Sequence, residues 1–512
     1  MQLRVRHIVR NVFSNWLGTA ATMAVGFFLS PFLVHRLGNE AYGIWVLAIS
    51  SISYLGALDL GMRSSVLRFV SKGHTTGDHE AASAALSAAL WVRLQISVVV
   101  LLLSGILAYA FPLLFKVPPD LAMSARIAVG IIGFNLALTM SLGVFGGVIS
   151  GLNRYDLQTA VTLVQMVIRV VGVIIVLHQH RGIVAIAVCE LIAALVGNVL
   201  LLVIARRIYP QLRVFFKRPD RDVLRSLWSY SFYAFLTTIA IQLVYQTDNL
   251  VVGTFVSASM VTFYAIGNSL CRYTDQFTSA MTMSFVPAAS TYEAAGNTEK
   301  LQSLYRVGTR AMMALYLPIL TTLLVRGRTF IGLWMGPQYA HISGTVLIIL
   351  GIALIVSQAN NTAFAIAFGT ERHKVIAKWA IGEGAANLTL SIILVHWLGI
   401  YGVAVGTLIP SLAINLFFWP RYISKLIGMR SWEVVGTVWT PMLLCSIPFS
   451  LASYWVNVTF PARNVLIFFA QTAALLPVFL IAVSFVFRDQ LRSRVFPAAR
   501  SFLQARTRLF VN

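Results

Sequence analysis

Apolar residues occur along this chain in long runs that are separated by short polar segments. A helix that crosses the hydrocarbon core of a bilayer needs about 20 mostly apolar residues, and this criterion predicts about 14 membrane spans. The predicted spans, numbered in chain order, cover residues 12–34, 42–60, 84–110, 126–149, 157–178, 182–204, 228–253, 258–282, 306–325, 341–365, 375–396, 400–420, 434–456 and 464–487. The connections between them are too short to fold as separate domains, so the pattern predicts an all-α polytopic membrane protein.

The two halves of the chain resemble each other. Residues 182–198 (GIVAIAVCELIAALVGN) align without gaps with residues 399–415 (GIYGVAVGTLIPSLAIN), and eight of the seventeen positions are identical. These segments belong to spans six and twelve, and GLNRYD at 151–156 and GTERHK at 369–374 precede spans five and eleven. An offset of six spans gives both halves the same orientation, and two such lobes that rock around a central site are typical of alternating-access transporters.

The repeat predicts five segments. They are an N-terminal lobe at 1–204, a basic cytoplasmic linker at 205–227, a C-terminal lobe at 228–420, two appended spans within 421–487 and a basic cytoplasmic tail at 488–512.

The composition excludes a soluble globular protein. Hydrophobic residues make up 58% of the chain and charged residues only 11%, whereas a soluble domain carries about 25% charged residues. The sequence contains no catalytic motif and no metal-ligand spacing, and its three cysteines lie singly within apolar runs. These observations favour a transporter over an enzyme and predict no metal or organic cofactor.

The positive charge of the chain, formally +22, is unevenly distributed. The segments on one side of the predicted spans carry 29 of the 39 Lys and Arg residues, and those on the other side carry seven. This bias predicts that both termini lie in the cytoplasm and that the basic segments meet anionic lipids of the inner face. The aromatic and basic run at 205–228 alone would also suit a nucleic-acid groove. Because every inner loop shares the bias, we predict no nucleic-acid partner.

Polar residues inside spans seven and eight repeat at helical spacing. Those of span seven are Thr238, Gln242, Tyr245 and Asn249, with Gln246 and Asp248 beside them, and those of span eight are Asn268, Arg272, Asp275 and Ser279. Intramembrane polar groups usually face the interior of a bundle or a water-filled cavity. Spans one, two, seven and eight are equivalent pairs in the two halves, so the stripes are predicted to face each other. Alternatively, Arg272 and Asp275 neutralise each other within one lobe.

Other charges within the spans occur singly. They are Arg93, Arg169, Glu190 and Glu383. Asp59, Arg63 and Asp248 lie near predicted helix ends, where a charged side chain can reach the membrane interface at little cost. For Arg93 and Arg169 two interpretations stay open: each pairs with an acid of another helix, or each supplies positive potential to a cavity that holds an anion.

Residues 11–70 resemble the N-terminal region of bacterial polysaccharide flippases. The features are an "LG…YG" hairpin after the first span (Leu37, Gly38, Tyr42, Gly43) and the "DLG" of residues 59–61. Residues 330–340 (FIGLWMGPQYA) and 387–407 (NLTLSIILVHWLGIYGVAVGT) are also similar to this family. Its members are the O-antigen and exopolysaccharide transporters of the multidrug/oligosaccharidyl-lipid/polysaccharide (MOP) superfamily.

The resemblance implies an inner-membrane protein of fourteen helices that moves polyprenyl-pyrophosphate-linked oligosaccharide from the cytoplasmic to the periplasmic leaflet. It also implies a cavity lined by helices one, two, seven and eight, and polysaccharide polymerase or chain-length machinery as further partners. The candidate cavity residues are Arg63, Arg93, Arg169, Gln242, Tyr245, Asn249, Asn268 and Arg272, of which the arginines suit a pyrophosphate. The candidates for coupling to H⁺ or Na⁺ are Asp59, Asp248, Asp275 and Glu383.

Three other functions are compatible with parts of the pattern. A multidrug or cation extruder of the same superfamily would need acidic and aromatic cavity walls, whereas the charges within spans three, five and eight lean basic. A lipid II flippase is a closer alternative. A membrane glycan polymerase or ligase would need a sizeable outer loop, which the predicted connections do not provide.

Overall fold

The computed structural model of the protein describes residues 2–59, 62–215, 238–239 and 242–487, and of these it describes the side chains except those of residues 2–15, 62–65 and 373. The side chain of Arg63, residues 216–227 of the linker, residues 228–237 and 240–241 of span seven, and the tail at 488–512 therefore lie outside the described residues. Throughout the described part the secondary structure is helical, without a strand. The predicted all-α membrane class is confirmed.

The described helices are numbered here in chain order. The first seven are α1 (Gln2–Leu55), α2 (Met62–Thr76), α3 (His79–Leu114), α4 (Pro119–Leu142), α5 (Val144–Gly151), α6 (Tyr155–His178) and α7 (Ile183–Ile208). The next seven are α8 (Thr247–Phe255), α9 (Ala258–Thr282), α10 (Val286–Ala294), α11 (Thr298–Trp334), α12 (Pro337–Ala340), α13 (Ile342–Ala359) and α14 (Asn361–Gly369). The last six are α15 (His373–Leu398), α16 (Ile400–Ala413), α17 (Trp419–Ile427), α18 (Ser431–Glu433), α19 (Thr440–Thr459) and α20 (Val465–Val486).

Helix α1 contains two predicted spans. The apolar stretch Trp16–Asp59, which continues four residues beyond the end of α1, has 44 residues. It would extend about 66 Å as one straight helix, about twice the thickness of the hydrocarbon core. Gly38, with φ 79° and ψ 167°, interrupts the helical backbone between the two parts. A positive φ of this kind favours glycine. The helix can therefore change direction at Gly38, so that residues before it form span one and residues after it form span two.

The described residues contain eleven helical segments that are long and apolar enough to cross a membrane. Division of the first at Gly38 yields spans one and two. Helix α9 is 25 residues long but too polar for that criterion, because it carries the stripe of span eight. Span seven is described only at residues 238–239 and 242–253, which are too few consecutive residues for that criterion. The eleven segments are thus compatible with fourteen crossings, and that number stays a prediction.

Spans four and ten are broken at corresponding places. Gly143 separates α4 from α5, and Asn360 separates α13 from α14. Asn198 of span six donates to Thr139 Oγ1 near the first break, at 3.4 Å, and Asn360 donates to Asn415 Oδ1 of span twelve at 3.2 Å. Asn198 and Asn415 are the last identical pair of the sequence repeat, and both are buried.

The GLNRYD and GTERHK segments also share backbone geometry. Asn153 and Glu371, the third residue of each, have φ of 56° and 58°. The first residue of each segment is a glycine that packs closely against another helix. A Cβ at Gly151 would lie 2.9 Å from the Leu67 carbonyl oxygen of α2, and a Cβ at Gly369 would lie 2.7 Å from the Val286 carbonyl oxygen of α10. The two halves of the chain thus repeat a local structure as well as a sequence.

Contacts divide the chain into two compact units. One consists of Met1–Ile266 with Lys374–Pro410, and the other of Gly267–His373 with Ser411–Asn512. The first unit includes a buried core formed by α2, α3, α5 and the end of α7. The boundaries of these units differ from those of the predicted lobes. Contacts in one conformation do not define which parts move together, so the lobes stay a prediction.

In the second unit, spans thirteen and fourteen pack on span nine through a buried cation. Arg326 of α11 is 1% exposed, and its guanidinium lies over the Phe468 ring, 4.5 Å from the centroid. Its Nε lies 3.4 Å from Asn457 Oδ1, and its Nη2 donates to Gln471. Amide oxygens from α19 and α20 thus solvate a charge that belongs to α11.

The close approach at Gly369 has a measurable consequence. Substitution of Gly369 by Ala should destabilise the protein by about 1–3 kcal/mol, because the added methyl group meets a backbone carbonyl that cannot move aside. Gly130→Ala in α4 is the matched control, since a Cβ there meets nothing within 4 Å, and it should be neutral or stabilising by up to about 1 kcal/mol. Thermal unfolding of the purified proteins in detergent compares the two. Equal unfolding temperatures for the two variants would contradict the packing described here.

Candidate functional site

The described part of span seven is joined to span two by hydrogen bonds. Tyr54 Oη lies 2.5 Å from Thr247 Oγ1 and donates to the Gln242 carbonyl at 3.2 Å. Gln242 Nε2 donates to the Ser53 carbonyl at 3.1 Å, and Asn249 Nδ2 donates to Ser50 Oγ at 3.0 Å. We call these contacts the polar seam, and its members are Ser50, Ser53 and Tyr54 of span two and Gln242, Gln246, Thr247 and Asn249 of span seven.

The polar seam lies at an interruption in span seven. Residues 242–245 are helical, Gln246 has φ −114° and ψ −20°, and α8 begins at Thr247. The Gln246 side chain accepts from Ser50 Oγ at 3.2 Å. Discontinuous helices of this kind often form the binding sites of transporters, because their backbone ends supply polar groups. Of the predicted cavity residues, Gln242 and Asn249 belong to the seam.

Spans two, seven and eight are in close contact beside the polar seam. A Cβ on Gly43 would lie 1.8 Å from the Ala258 carbonyl oxygen, and one on Gly253 would lie 2.4 Å from Leu47 Cδ2. Thr262 Oγ1 of α9 donates to the Asn39 carbonyl at 2.6 Å. These residues lie near the connections that the charge bias places outside the cell. At that end, the three spans approach each other too closely to admit a methyl group at Gly43.

Asp248 forms a second polar group, together with residues of spans eight, eleven and twelve. The side chain is 4% exposed, and its Oδ2 accepts from Tyr264 Oη at 2.5 Å and from Thr407 Oγ1 at 2.9 Å. Ser391 Oγ donates to Asn387 Oδ1 at 2.9 Å, and that oxygen lies 3.4 Å from Thr407 Oγ1. We call Asp248, Tyr264, Asn387, Ser391 and Thr407 the Asp248 cluster.

One acceptor and one donor of the Asp248 cluster lack a partner within the described residues: the Asp248 oxygen Oδ1 and the Asn387 amide nitrogen Nδ2. The second carboxylate oxygen, Oδ1, is buried and has no hydrogen-bond partner within the described part of the chain. A buried acceptor without a donor is costly, and a proton or a small cation would satisfy it. The sequence predicted Asp248 as an ion-coupling residue but missed Asn387, Ser391 and Thr407, which are isolated polar residues without a stripe.

Arg93 and Arg169 each meet an acid from another span. Arg93 is 4% exposed, and its Nε donates to Asp59 Oδ1 at 2.7 Å. Arg169 Nε lies 3.7 Å from Glu190 Oε1, and both side chains are about one third exposed. The geometry therefore corresponds to the first of the two interpretations, pairing across helices. Neither arginine is part of the polar seam.

Asp275 is hydrogen-bonded at the break in span ten. Its Oδ1 accepts from Gln358 Nε2 at 2.7 Å, and Gln358 in turn accepts from Thr278 at 2.6 Å. The remaining predicted residues are not brought into the seam or the cluster by any contact described here. Asn268, Arg272 and Glu383 are half-buried, and Tyr245 is exposed.

Comparison with known proteins identifies the family. The sequence pattern of the family described as polysaccharide biosynthesis protein matches residues 8–293, which is more than half of the chain. The chain belongs to this family. The predicted membership in the polysaccharide flippases of the MOP superfamily is confirmed.

Individual relatives are more distant. The uncharacterized membrane protein EpsK of Bacillus subtilis is 26% identical over 82% of this chain and 84% of its own length. The probable low-salt glycan biosynthesis flippase Agl15 of Haloferax volcanii is 24% identical over 42% of this chain and 45% of its own length.

Two solved structures share the fold. An inward-facing multidrug resistance MATE family transporter of the MOP superfamily has a TM-score of 0.69 at 15% identity, with 80% of this chain and 94% of the other covered. The lipid II flippase MurJ in an inward closed conformation has a TM-score of 0.66 at 14% identity, with 95% and 100% covered. At these identities the similarity shows the fold alone.

The ion pair between Arg93 and Asp59 should be worth more than a surface salt bridge. Asp59→Asn should destabilise the protein by about 2–3 kcal/mol, because it leaves a buried guanidinium without its counter-ion. Arg93→Met combined with Asp59→Asn should recover a large part of that loss, since neither charge then remains. Thermal unfolding of both single variants and the double variant measures the coupling. Strict additivity of the two single effects would contradict the pairing.

Proposed function

We propose that the protein is a flippase that moves a polyprenyl-pyrophosphate-linked oligosaccharide from the cytoplasmic to the periplasmic leaflet of the bacterial inner membrane. The oligosaccharide would be the repeat unit of a surface polysaccharide, an O-antigen or an exopolysaccharide. Membership in the polysaccharide biosynthesis family supports this proposal, as does the similarity to Agl15, which is named a probable low-salt glycan biosynthesis flippase. In this role the protein is a transporter without an enzymatic step, and its termini and basic segments lie in the cytoplasm against anionic lipids.

The observation that carries the mechanism is the polar seam. Its hydrogen bonds join span two to span seven, which belong to different halves of the repeat. Hydrogen bonds between neutral groups contribute only about 0.5–1.5 kcal/mol each, because water replaces them when they break. A seam of this kind can therefore open to water at small cost, whereas an apolar interface of equal size could not. We infer that the seam opens on the outer side when the substrate leaves, as alternating access requires.

The substrate carries a pyrophosphate, and the arginines of the spans are candidates to meet it. Arg272 on the stripe of span eight and Arg63 after the end of span two are two of these candidates. Arg93 and Arg169 already face Asp59 and Glu190, so their charges are partly compensated. One nitrogen of Arg93, Nη1, is buried without an acceptor among the described residues. Arg93 could therefore still bind an oxyanion if Asp59 moved.

The Asp248 cluster is our candidate for ion coupling. Carboxylate, hydroxyl and amide oxygens are the ligands of hard cations, and the same carboxylate can take up a proton. The ion that binds there would be H⁺ or Na⁺. Asp248 lies next to Thr247 and Asn249 of the polar seam, so a change in its charge or contacts acts directly on the start of α8. Asp59, Asp275 and Glu383 remain further candidates.

Deletion of the gene in the native host tests the function itself. Complete oligosaccharide repeat units should accumulate on the cytoplasmic leaflet, attached to their polyprenyl carrier, and surface polysaccharide should be lost. Extraction of the polyprenyl lipids with mass spectrometry, after labelling of the outer leaflet, identifies the substrate. Repeat units that reach the periplasm but stay unpolymerised would indicate a polymerase instead. Unchanged lipid pools would favour a multidrug extruder, and accumulated lipid II would favour peptidoglycan synthesis.

Asp248→Asn should reduce transport at least tenfold in that strain, because an amide cannot exchange a proton or supply a negative charge to a cation. The readout is surface polysaccharide at equal membrane abundance of the variants. Asp120→Asn is the matched control, because Asp120 is exposed in the first turn of α4, and it should transport normally. Wild-type activity of Asp248→Asn would remove the Asp248 cluster from the mechanism. Proteoliposomes with imposed Na⁺ or pH gradients then distinguish the two ions.

A further inference from the structure

A polar cavity lies in the second compact unit, and none of its lining residues belongs to the polar seam or to the Asp248 cluster. It has a volume of about 600 Å³ and lies where spans nine and thirteen begin. Helix α11 lines one wall, and the segment from α18 to the start of α19 lines the other. The lining residues are Glu299, Gln302, Ser303, Arg306, Val307 and Arg310 on α11 and Trp432, Glu433 and Thr437 opposite them.

Arg310 of α11 reaches the opposite wall of the cavity, and one of its N–H groups has no acceptor among the described residues. Its Nη2 donates to the Thr437 carbonyl at 2.7 Å. Arg310 Nε is buried and has no acceptor within the residues that the structure describes. A buried guanidinium N–H without an acceptor is costly, and a phosphate oxygen would satisfy it with a charge-assisted hydrogen bond.

Arg306 and Glu433 form a loose ion pair across the same cavity. Their closest nitrogen and oxygen atoms are 3.6 Å apart, and the side chains are 46% and 26% exposed. A charge-assisted hydrogen bond is normally 2.7–2.9 Å long, and exposed pairs contribute about 1 kcal/mol or less. The pair can therefore separate at little cost. Each group would then be available to a ligand that carries both signs of charge.

The charges of the lining identify the class of ligand. Two guanidinium groups and two carboxylates, those of Glu299 and Glu433, sum to zero. A simple anion would meet the two carboxylates, and a simple cation would meet the two guanidinium groups. A zwitterion with a phosphate and a primary ammonium complements all four. The ammonium supplies N–H donors that a carboxylate can accept, which a trimethylammonium group does not.

Apolar residues on the rim indicate that the zwitterion belongs to a lipid. Of the residues that line the cavity, Trp432 is 63% exposed and Val307 is 38% exposed. Tryptophan is enriched at the level of lipid headgroups. We propose that this cavity binds an ethanolamine phospholipid, with its phosphate on Arg306 and Arg310 and its ammonium on Glu299 and Glu433. The acyl chains would then follow the apolar rim into the bilayer.

Competition among lipids tests the proposal on the wild-type protein. Purified protein is incubated with equal amounts of phosphatidylethanolamine, phosphatidylglycerol and phosphatidylcholine with identical acyl chains, and native mass spectrometry counts the lipids retained. We expect at least fivefold preference for the ethanolamine lipid over each of the others. Equal or greater retention of phosphatidylglycerol would overturn the proposal. Competition by soluble glycerophosphoethanolamine at the same concentration as the lipid would overturn the assignment to a lipid.

Variants locate the binding to the cavity. Glu299→Gln combined with Glu433→Gln should reduce the preference for ethanolamine over glycerol headgroups to less than twofold, because the ammonium loses both of its acceptors. The matched control is Arg154→Gln with Asp156→Asn. It removes an ion pair of 3.0 Å with similar exposure that does not line the cavity, and it should keep the wild-type preference. Retention of the preference in the first variant would contradict the site.

The inference is independent of flipping, because it is measured as lipid retention and not as transport. A double variant that failed to fold would leave the wild-type competition decisive.

Discussion

A polar side chain within a bilayer has no bulk water to satisfy it, and this constraint determines where many of the described spans meet. Arg93 lies against Asp59, Asn360 against Asn415, and Arg326 against amide oxygens of α19 and α20. In each case a polar residue of one span reaches a partner on another. Lipid tails are as apolar as leucine, so apolar surface alone contributes little to the choice of neighbours between spans. The polar pairs therefore supply much of the specificity with which these helices pack.

The scarcity of water within the bilayer also distinguishes two kinds of contact between spans, those of a buried charge and those of neutral polar groups. Arg326 is 1% exposed, and it contacts the neutral side chains of Asn457 and Gln471. If α19 and α20 moved away from α11, the buried guanidinium would lose these hydrogen-bond acceptors. The members of the polar seam are neutral, and water can replace each of their hydrogen bonds. The structure thus combines permanent attachment of spans thirteen and fourteen with a reversible attachment between spans two and seven. In a transporter both kinds are needed, because some spans must move together while others separate.

The sequence predicted the elements better than their partners. Hydrophobic runs identified the spans and the repeat, and the interface residues Gln242 and Asn249 followed from helical spacing. Hydropathy could not show that spans four and ten break at Gly143 and Asn360, because the mean hydropathy of a segment does not depend on whether its helix is continuous. It also could not choose between the two interpretations of Arg93, because the partner lies 34 residues away on another span. Thr407 and Asn387 were missed for the same reason: single polar residues have meaning only beside Asp248.

Gly43 affects the relative free energies of two conformations: the one described here, with spans two and eight in contact, and one in which they stand apart. Its hydrogen faces the Ala258 carbonyl so closely that any larger side chain would be excluded from the arrangement seen here. A conformation in which spans two and eight stand apart at this end would accept a methyl group without penalty. One added carbon would therefore raise the energy of a single state, and each 1.4 kcal/mol of that increase corresponds to a tenfold change in the ratio of the two. The absence of a side chain at Gly43 therefore lowers the free energy of the arrangement in which spans two and eight are in contact, relative to one in which they stand apart.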